Sequence, residues 1–332
     1  MFEQATLATI FVSLMGLAII MYAVLDGYDL GVGMLLPLDN EKDADTMIAS
    51  IGPFWDANET WLVLAVGLLL IAFPHAHSVI LKELYLPTAI LLVGLILRGV
   101  AFDFRAKAAF SHKPSWDKAF KFGSLLASLS QGFMLGMYVT GFDKSAAGLT
   151  FALLSAIGVA AAYVFIGATW LVMKTEGQLQ QASINHAVKG LVVALLGTCA
   201  VSSANLIVNP DIYEKWFTLP AAIYLLPIPV VCSFLFLVCF ITLKRLQHKP
   251  DFGAGLPFII AVLIFVLSFV GLGFSFYPYI VPNQLTIWET VAAAESLNFM
   301  LWGAIVVVPV ILAYTVFSYR VFWGKVRELR YY

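Results

Sequence analysis

The stretch Gly52-Pro53-Phe54-Trp55-Asp56-Ala57-Asn58-Glu59-Thr60-Trp61 decides the fold, because the apolar run after it is too short to cross a bilayer alone. That run, from Trp61 to Phe73, is closed by Pro74 and His75. Its 13 residues would make a helix of about 20 Å at roughly 1.5 Å per residue. A bilayer core of roughly 30 Å needs about 20 residues. The run can span only if the polar turn before it joins the helix, with Pro53 as the natural start. Asp56, Asn58, Glu59 and Thr60 are then carried to membrane depth, where carboxyl groups are costly and usually functional.

The whole chain supports a membrane reading. Its 332 residues are 61% hydrophobic and 12% charged, with a formal net charge of −1. Soluble domains carry about 25% charged residues. The expected class is an all-α polytopic membrane protein, a single integral domain over 1–332. Long apolar runs separated by short polar connections give nine expected spans, near 6–36, 53–74, 79–107, 117–140, 149–173, 185–208, 218–243, 256–277 and 290–322. The first 25 residues lack a basic start and a small-residue cleavage site, so the first span is expected to stay. Of the 19 Lys and Arg, 15 fall on one side of this layout; only Lys82, Lys144 and Lys215 fall on the other, and Arg98 lies within a span. The bias places the C-terminus in the cytoplasm and the N-terminus outside, in the periplasm.

Two further spans carry ionisable groups. The first runs through Tyr22 to Gly33 and places Asp26 and Asp29 three residues apart on one helical face. They sit either at the inner interface or inside the span; carboxylates near a helix C-terminus are disfavoured by the dipole and need a partner or a proton. The glycines of this stretch suit close helix contact. In the third span the apolar run from Leu84 to Leu97 is only 14 residues, which draws Arg98 inside with Asp103 near its inner mouth. Arg98 either snorkels to lipid phosphates or pairs with the acids of the first two spans. Because the first and third spans end where the second begins, Asp26, Asp29, Asp56, Glu59, Arg98 and Asp103 are expected to converge in the inner half. Lys174 and Glu176 read as an interface anchor, Glu289 as a helix cap, and Glu295 as either a polar contact or a plain surface acid. The connection from Pro278 to Ile287 is too apolar for a disordered segment.

Other chemistry is sparse. Cys199, Cys232 and Cys239 lie in apolar runs without metal spacing and read as small packing residues. His75, His77, His112, His186 and His248 fall in loops or at span ends, so no axial haem ligand pair projects from mid-span. Mid-span Met15, Met134 and Met300 read as gap fillers. No phosphate loop, dinucleotide fingerprint or nucleophile motif has a plausible context. Taken alone, the residues offer acids for moving protons and nothing for redox chemistry.

Several segments resemble one known family. Val24 to Gly33, Phe54 to Trp61, Leu97 to Arg105, Gly167 to Gly177, Phe276 to Pro282 and Asn298 to Thr315 closely resemble subunit II of the cytochrome bd-type quinol oxidases. The compact connection between the sixth and seventh spans resembles the cyanide-insensitive branch. The resemblance implies a multi-pass protein of the bacterial inner membrane, paired with a haem-bearing subunit I that holds two b-type haems and haem d. Quinol oxidation and reduction of O2 to water occur in that partner, and this chain ligates no haem. It also implies a proton route in which Trp55 and Asp56 take part, with Asp26 and Asp29 contributing; the convergence expected above adds Glu59 to that route and Arg98 and Asp103 as supporting charges. Small single-helix subunits, a structural quinone or a bound phospholipid are compatible with it; nucleic acid is not. A free-standing proton- or cation-coupled transporter is the competing reading, against which the missing inverted repeat counts. A third reading makes the chain a scaffold whose acids serve assembly.

Overall fold

The computed structural model describes residues 2–107, 112–249 and 253–326. Its helices are α1 (Gln4–Leu35), α2 (Glu41–Ile51), α3 (Trp55–Ala72), α4 (Pro74–Lys107), α5 (Lys113–Val139), α6 (Ala146–Lys174) and α7 (Gly177–Val208). The chain continues through α8 (Pro210–Phe217), α9 (Ala221–Leu225), α10 (Pro227–Leu246) and α11 (Leu256–Phe276) to a small hairpin. In that hairpin β1 (Tyr279–Val281) pairs antiparallel with β2 (Leu285–Thr286), before α12 (Ile287–Thr290) and α13 (Ala294–Val321). Among the described residues, nine helical segments are long and apolar enough to cross a membrane, as the run lengths require. Arg327 and Arg330, which enter the charge bias, lie outside the described residues.

The polar turn does join the second span. Helix α3 contains Asp56, Asn58, Glu59 and Thr60, and its 18 residues reach about 27 Å. Pro53, however, precedes the helix: Gly52 N donates to Ile48 O and Phe54 N to Ile51 O, so a tight turn continues from α2. Helix α2 itself was not expected. Asn40 caps it by accepting from Asp43 N at 3.1 Å, and Ala44, Met47, Ser50 and Ile51 form its buried stripe. Eleven polar-rich residues carry too little apolar length to announce a helix beside spans of thirty. Helix α7 starts eight residues before the expected position, which moves His186 from a helix end into the helix. The early turns tolerate this because their buried polar groups are satisfied: Gln180 Nε2 donates to Val172 O at 3.0 Å and Ser183 Oγ to Leu179 O at 2.7 Å.

Helix α1 forms the axis of the bundle, with α3, α5, α6 and α11 around it. It approaches α6 at Gly31 and Gly167, where a Cβ on Gly31 would stand 1.8 Å from Tyr163 O. Only glycine permits that backbone contact. Helix α13 is different, burying only Leu297, Leu301 and Val308. The hairpin orders the connection after α11, and Tyr138 Oη donates to Ile280 O at 2.8 Å. All three cysteines are free thiols, two of them buried.

Glu289 acts as the expected cap. Its carboxylate accepts from Thr286 N at 2.7 Å and Thr286 Oγ1 at 2.8 Å, completing a capping box. These bonds, the backbone one foremost, hold its carboxyl below the usual carboxylate range. A depressed acid contributes its stability above the unfolded value and loses it as pH falls through the folded one. Hydrogen exchange over residues 286–290, followed by mass spectrometry, is therefore expected to be as protected at pH 5 as at pH 7. Protection starts to fall only as pH drops below the ordinary glutamate value of about 4.3, and Glu289→Gln abolishes the difference.

Candidate functional site

Three helices meet at one guanidinium. Arg98 on α4 donates through Nη1 to Asp26 Oδ1 on α1 at 2.6 Å, and through Nη2 to Glu59 Oε2 on α3 at 2.9 Å. The Arg98 side chain is 1% exposed, Asp26 is fully enclosed and Glu59 is 30% exposed. Arg98 therefore does not snorkel; the fork joins two carboxylates from different helices, which a single ammonium could not do with the same geometry. The Trp55 ring lies 5.9 Å from the guanidinium carbon and packs on Phe102 at 4.8 Å.

Asp29, one turn further along α1, is also fully enclosed. It meets no cation directly and instead accepts from Asn58 Nδ2 at 2.8 Å. Neither Asp26 nor Asp29 is open to solvent. Two carboxylates share the Arg98 guanidinium and a third, Asp29, lies one turn along α1, so the cluster holds acid in excess of its positive charge. Asp26 Oδ2, Asp29 Oδ1 and Arg98 Nε have no hydrogen-bond partner among the described residues, although buried polar atoms normally find one.

The expected convergence of six residues is corrected to four. Asp56 and Asp103 are exposed and stand outside the paired cluster. The cause is helical phase, about 100° per residue. Asp56 is three positions from Glu59, about 60° away around α3. Asp103 is five from Arg98, about 140° away on α4. Of the acids expected to converge on it, Arg98 pairs with Asp26 and Glu59.

Phase also shows what the sequence reading missed. Arg105 is seven residues beyond Arg98 and returns to the same face. It is buried, donates to the buried Asp117 of α5, and reaches Asp45 of α2 at 2.5 Å. Lys113 adds Glu41 at 2.9 Å, so this ionic group clamps α2 to α4 and α5 beside the cluster. On the other side, Tyr22 lies one turn before Asp26 and accepts from Gln131 Nε2 at 2.7 Å, while Tyr163 Oη donates to Gln131 Oε1 at 2.7 Å. The four-residue spacing from Tyr22 to Asp26 was the available signal.

Lys174 is not a plain interface anchor. It is 5% exposed, donates to Phe322 O at 2.6 Å and lies 5.0 Å from the Trp170 ring and 5.6 Å from the Phe54 ring. Aromatic faces and a carbonyl replace the water that a surface lysine would keep. Glu295 is exposed in the first turn of α13, whereas Asn298 ties that end to the N-terminus, accepting from Phe2 N at 3.1 Å.

No group of three or more His, Cys, Asp or Glu side chains suited to a metal ion occurs among the described residues. The five histidines are exposed or half-exposed, so none projects into the core of this bundle, where an axial haem ligand held by this chain alone would sit.

The family model described as cytochrome bd terminal oxidase subunit II matches residues 7–322. The chain belongs to that family. Subunit 2 of the cytochrome bd-I ubiquinol oxidase of Escherichia coli strain K12 is 30% identical over 369 aligned positions, covering 99% of this chain and 97% of the relative. The cytochrome bd ubiquinol oxidase subunit 2 of Bacillus subtilis strain 168 is 28% identical, covering 97% and 98% of the two chains. A chain of the solved bd oxidase from Geobacillus thermodenitrificans superposes with a TM-score of 0.79 at 18% identity, covering 96% and 98%, and shares the fold. Subunit II of a bd-type oxidase is part of a respiratory membrane complex with a partner subunit I and haem, and the free-standing transporter reading is set aside.

Proposed function

We propose that this chain is the haem-free subunit of a quinol:O2 oxidoreductase in the bacterial inner membrane, where it holds the haem-bearing subunit I and passes cytoplasmic protons towards it. Water forms at the haems of that partner, and protons drawn from the cytoplasm add to the gradient. The N-terminus faces the periplasm and the C-terminus the cytoplasm, as the Lys/Arg bias requires.

One observation carries the reading: the buried Arg98 binds the enclosed Asp26 and the partly exposed Glu59, with the enclosed Asp29 beside them and the exposed Asp56 one turn before Glu59 on α3. Asp56 on α3 takes protons at the surface of the chain, and Glu59, one turn further, is the partly exposed member of the group. Asp26 stays committed to Arg98, while Asp29, held only by an amide, is the member free to carry a proton. Trp55 walls this path off by covering the guanidinium. Asp103 is proposed only as a nearby surface charge.

The test is Asp56→Asn in the assembled complex. Oxygen consumption with saturating quinol is expected to fall by about tenfold or more, within the range a positioned proton donor contributes, with the haem spectrum unchanged. Native turnover in this variant removes Asp56 from the route. Loss of haem instead of turnover supports the scaffold reading.

A further inference from the structure

Asn58 is gripped from two other helices. Its Nδ2 donates to Asp29 Oδ2 at 2.8 Å and to Tyr28 Oη at 3.0 Å, both on α1, with Leu25 O more distant at 3.4 Å. Its Oδ1 accepts from Tyr319 Oη on α13 at 3.4 Å. The two tyrosine hydroxyls lie 2.5 Å apart. With Tyr319 donating to the amide oxygen, Tyr28 donates to Tyr319 and in turn accepts one amide hydrogen. Each member of this ring donates once and accepts once, an arrangement whose bonds polarise one another in the same sense. One amide hydrogen remains, and it is committed to Asp29 Oδ2. A reversed amide would set its oxygen against the carboxylate, leaving two acceptors face to face.

We propose that Tyr319 is a positioning residue for Asp29: through Tyr28 and Asn58 it keeps the amide N–H on Oδ2 and so confines the exchangeable proton of Asp29 to Oδ1. Oδ1 is buried and has no hydrogen-bond partner among the described residues. When Asp29 takes up a proton, the new O–H bond forms at Oδ1. On release that bond breaks, its electron pair stays on the carboxylate, and Asn58 donates to Oδ2 in both states. The inference rests on the reading of Asp29 as a proton carrier given above.

A second feature supports it independently. Helix α13 has little buried surface of its own to fix Tyr319, yet the residue is clamped and strapped. Its ring stacks on Phe54 at 4.5 Å and meets Trp170 edge-on at 6.0 Å. Just beyond it the chain is tied across the end of α6: Lys174 Nζ donates to Phe322 O at 2.6 Å, Lys325 Nζ to Thr175 O at 2.6 Å, and Val326 N to Lys174 O at 2.8 Å. Three bonds over a few residues hold the end of a loosely packed helix at the place where its hydroxyl completes the ring.

The experiment uses the purified complex with its haem-bearing partner. A redox-induced infrared difference spectrum reports protonated buried carboxyls through their C=O stretch, and the band of Asp29 is the one that vanishes in Asp29→Asn. Tyr319→Phe keeps the ring and removes only the hydroxyl. It is expected to shift that band and to slow oxygen consumption about three- to tenfold, the effect of one lost hydrogen bond, with haem content unchanged. Asn58→Leu is expected to do the same, and adding Tyr319→Phe to it changes nothing further. If Tyr319→Phe does not assemble, Tyr28→Phe opens the same ring from α1 and is read in the same way. A native band and rate in the tyrosine variants, alongside a slow Asp29→Asn, overturns the positioning role and leaves the proton route standing. Native turnover in Asp29→Asn removes the proton reading of Asp29, and the inference with it.

Discussion

Arg98→Gln is expected to abolish accumulation of the assembled complex. The substitution leaves the enclosed carboxylate of Asp26 without its cation and strips Glu59 of its donor at the same time. Removing one partner of a buried ion pair costs about 3–5 kcal/mol, a large share of the roughly 5–15 kcal/mol that separates folded from unfolded domains. Haem content per unit of membrane protein and the melting temperature of any purified complex are the measurements. Arg98→Lys restores charge but not the fork between two helices, and is expected to assemble with a lowered melting temperature. The double variant Asp26→Asn with Arg98→Gln is the sharper test. It removes both buried charges, so assembly is expected to recover well above the Arg98→Gln level. Recovery fails if Arg98 acts elsewhere, because neutralising Asp26 would then bring no relief.

Gly31→Ala is expected to be as damaging for a purely steric reason. The added methyl would stand 1.8 Å from Tyr163 O and 2.7 Å from Tyr163 C, and neither is the movable end of a side chain. Helices α1 and α6 would have to separate by more than an ångström. That displacement reaches the site, because Tyr28 stacks on Trp170 of α6 with centroids 4.2 Å apart. Overpacking of this kind costs about 1–3 kcal/mol or more, here on the central helix of the bundle. The expected outcome is loss of haem-loaded complex from membranes. Gly67→Ala is the control, since no described residue beyond its own stretch of helix lies within 4 Å of its added Cβ, and it is expected to leave the melting temperature of the subunit's own fold unchanged. Equal damage from both substitutions would show that helix contact at Gly31 is not the cause.

Much of this architecture was legible without coordinates. Apolar length marks a span because an unsatisfied backbone cannot cross lipid, and the short runs after Thr60 and before Arg98 forced polar turns into helices. That shortage drew Arg98 inside the span but left it open between lipid phosphates and the acids of the first two spans. The glycines of Gly27 to Gly33 announced close contact, and Gly31 makes it. Helices α2, α8 and α12 were not legible, since short polar helices are held by caps and tertiary contacts rather than by a long apolar period. Lys174 read as an anchor because a lysine at a span end usually is one; only the carbonyl of Phe322, brought back from nearly 150 positions later, removes it from water.

The sequence by itself determined that this chain threads the membrane repeatedly, that charge enters its first three spans, and that family motifs belong to subunit II of a bd oxidase. Those properties are local: run length, residue type and spacing carry them. Tertiary structure alone decided which acids meet Arg98, that Asp56 and Asp103 face outward, and that Tyr319 closes a ring with Tyr28 and Asn58. Rotation of each helix about its axis is set by contact with its neighbours, so a displacement of about 60° that the sequence barely registers separates a buried ion pair from an exposed acid.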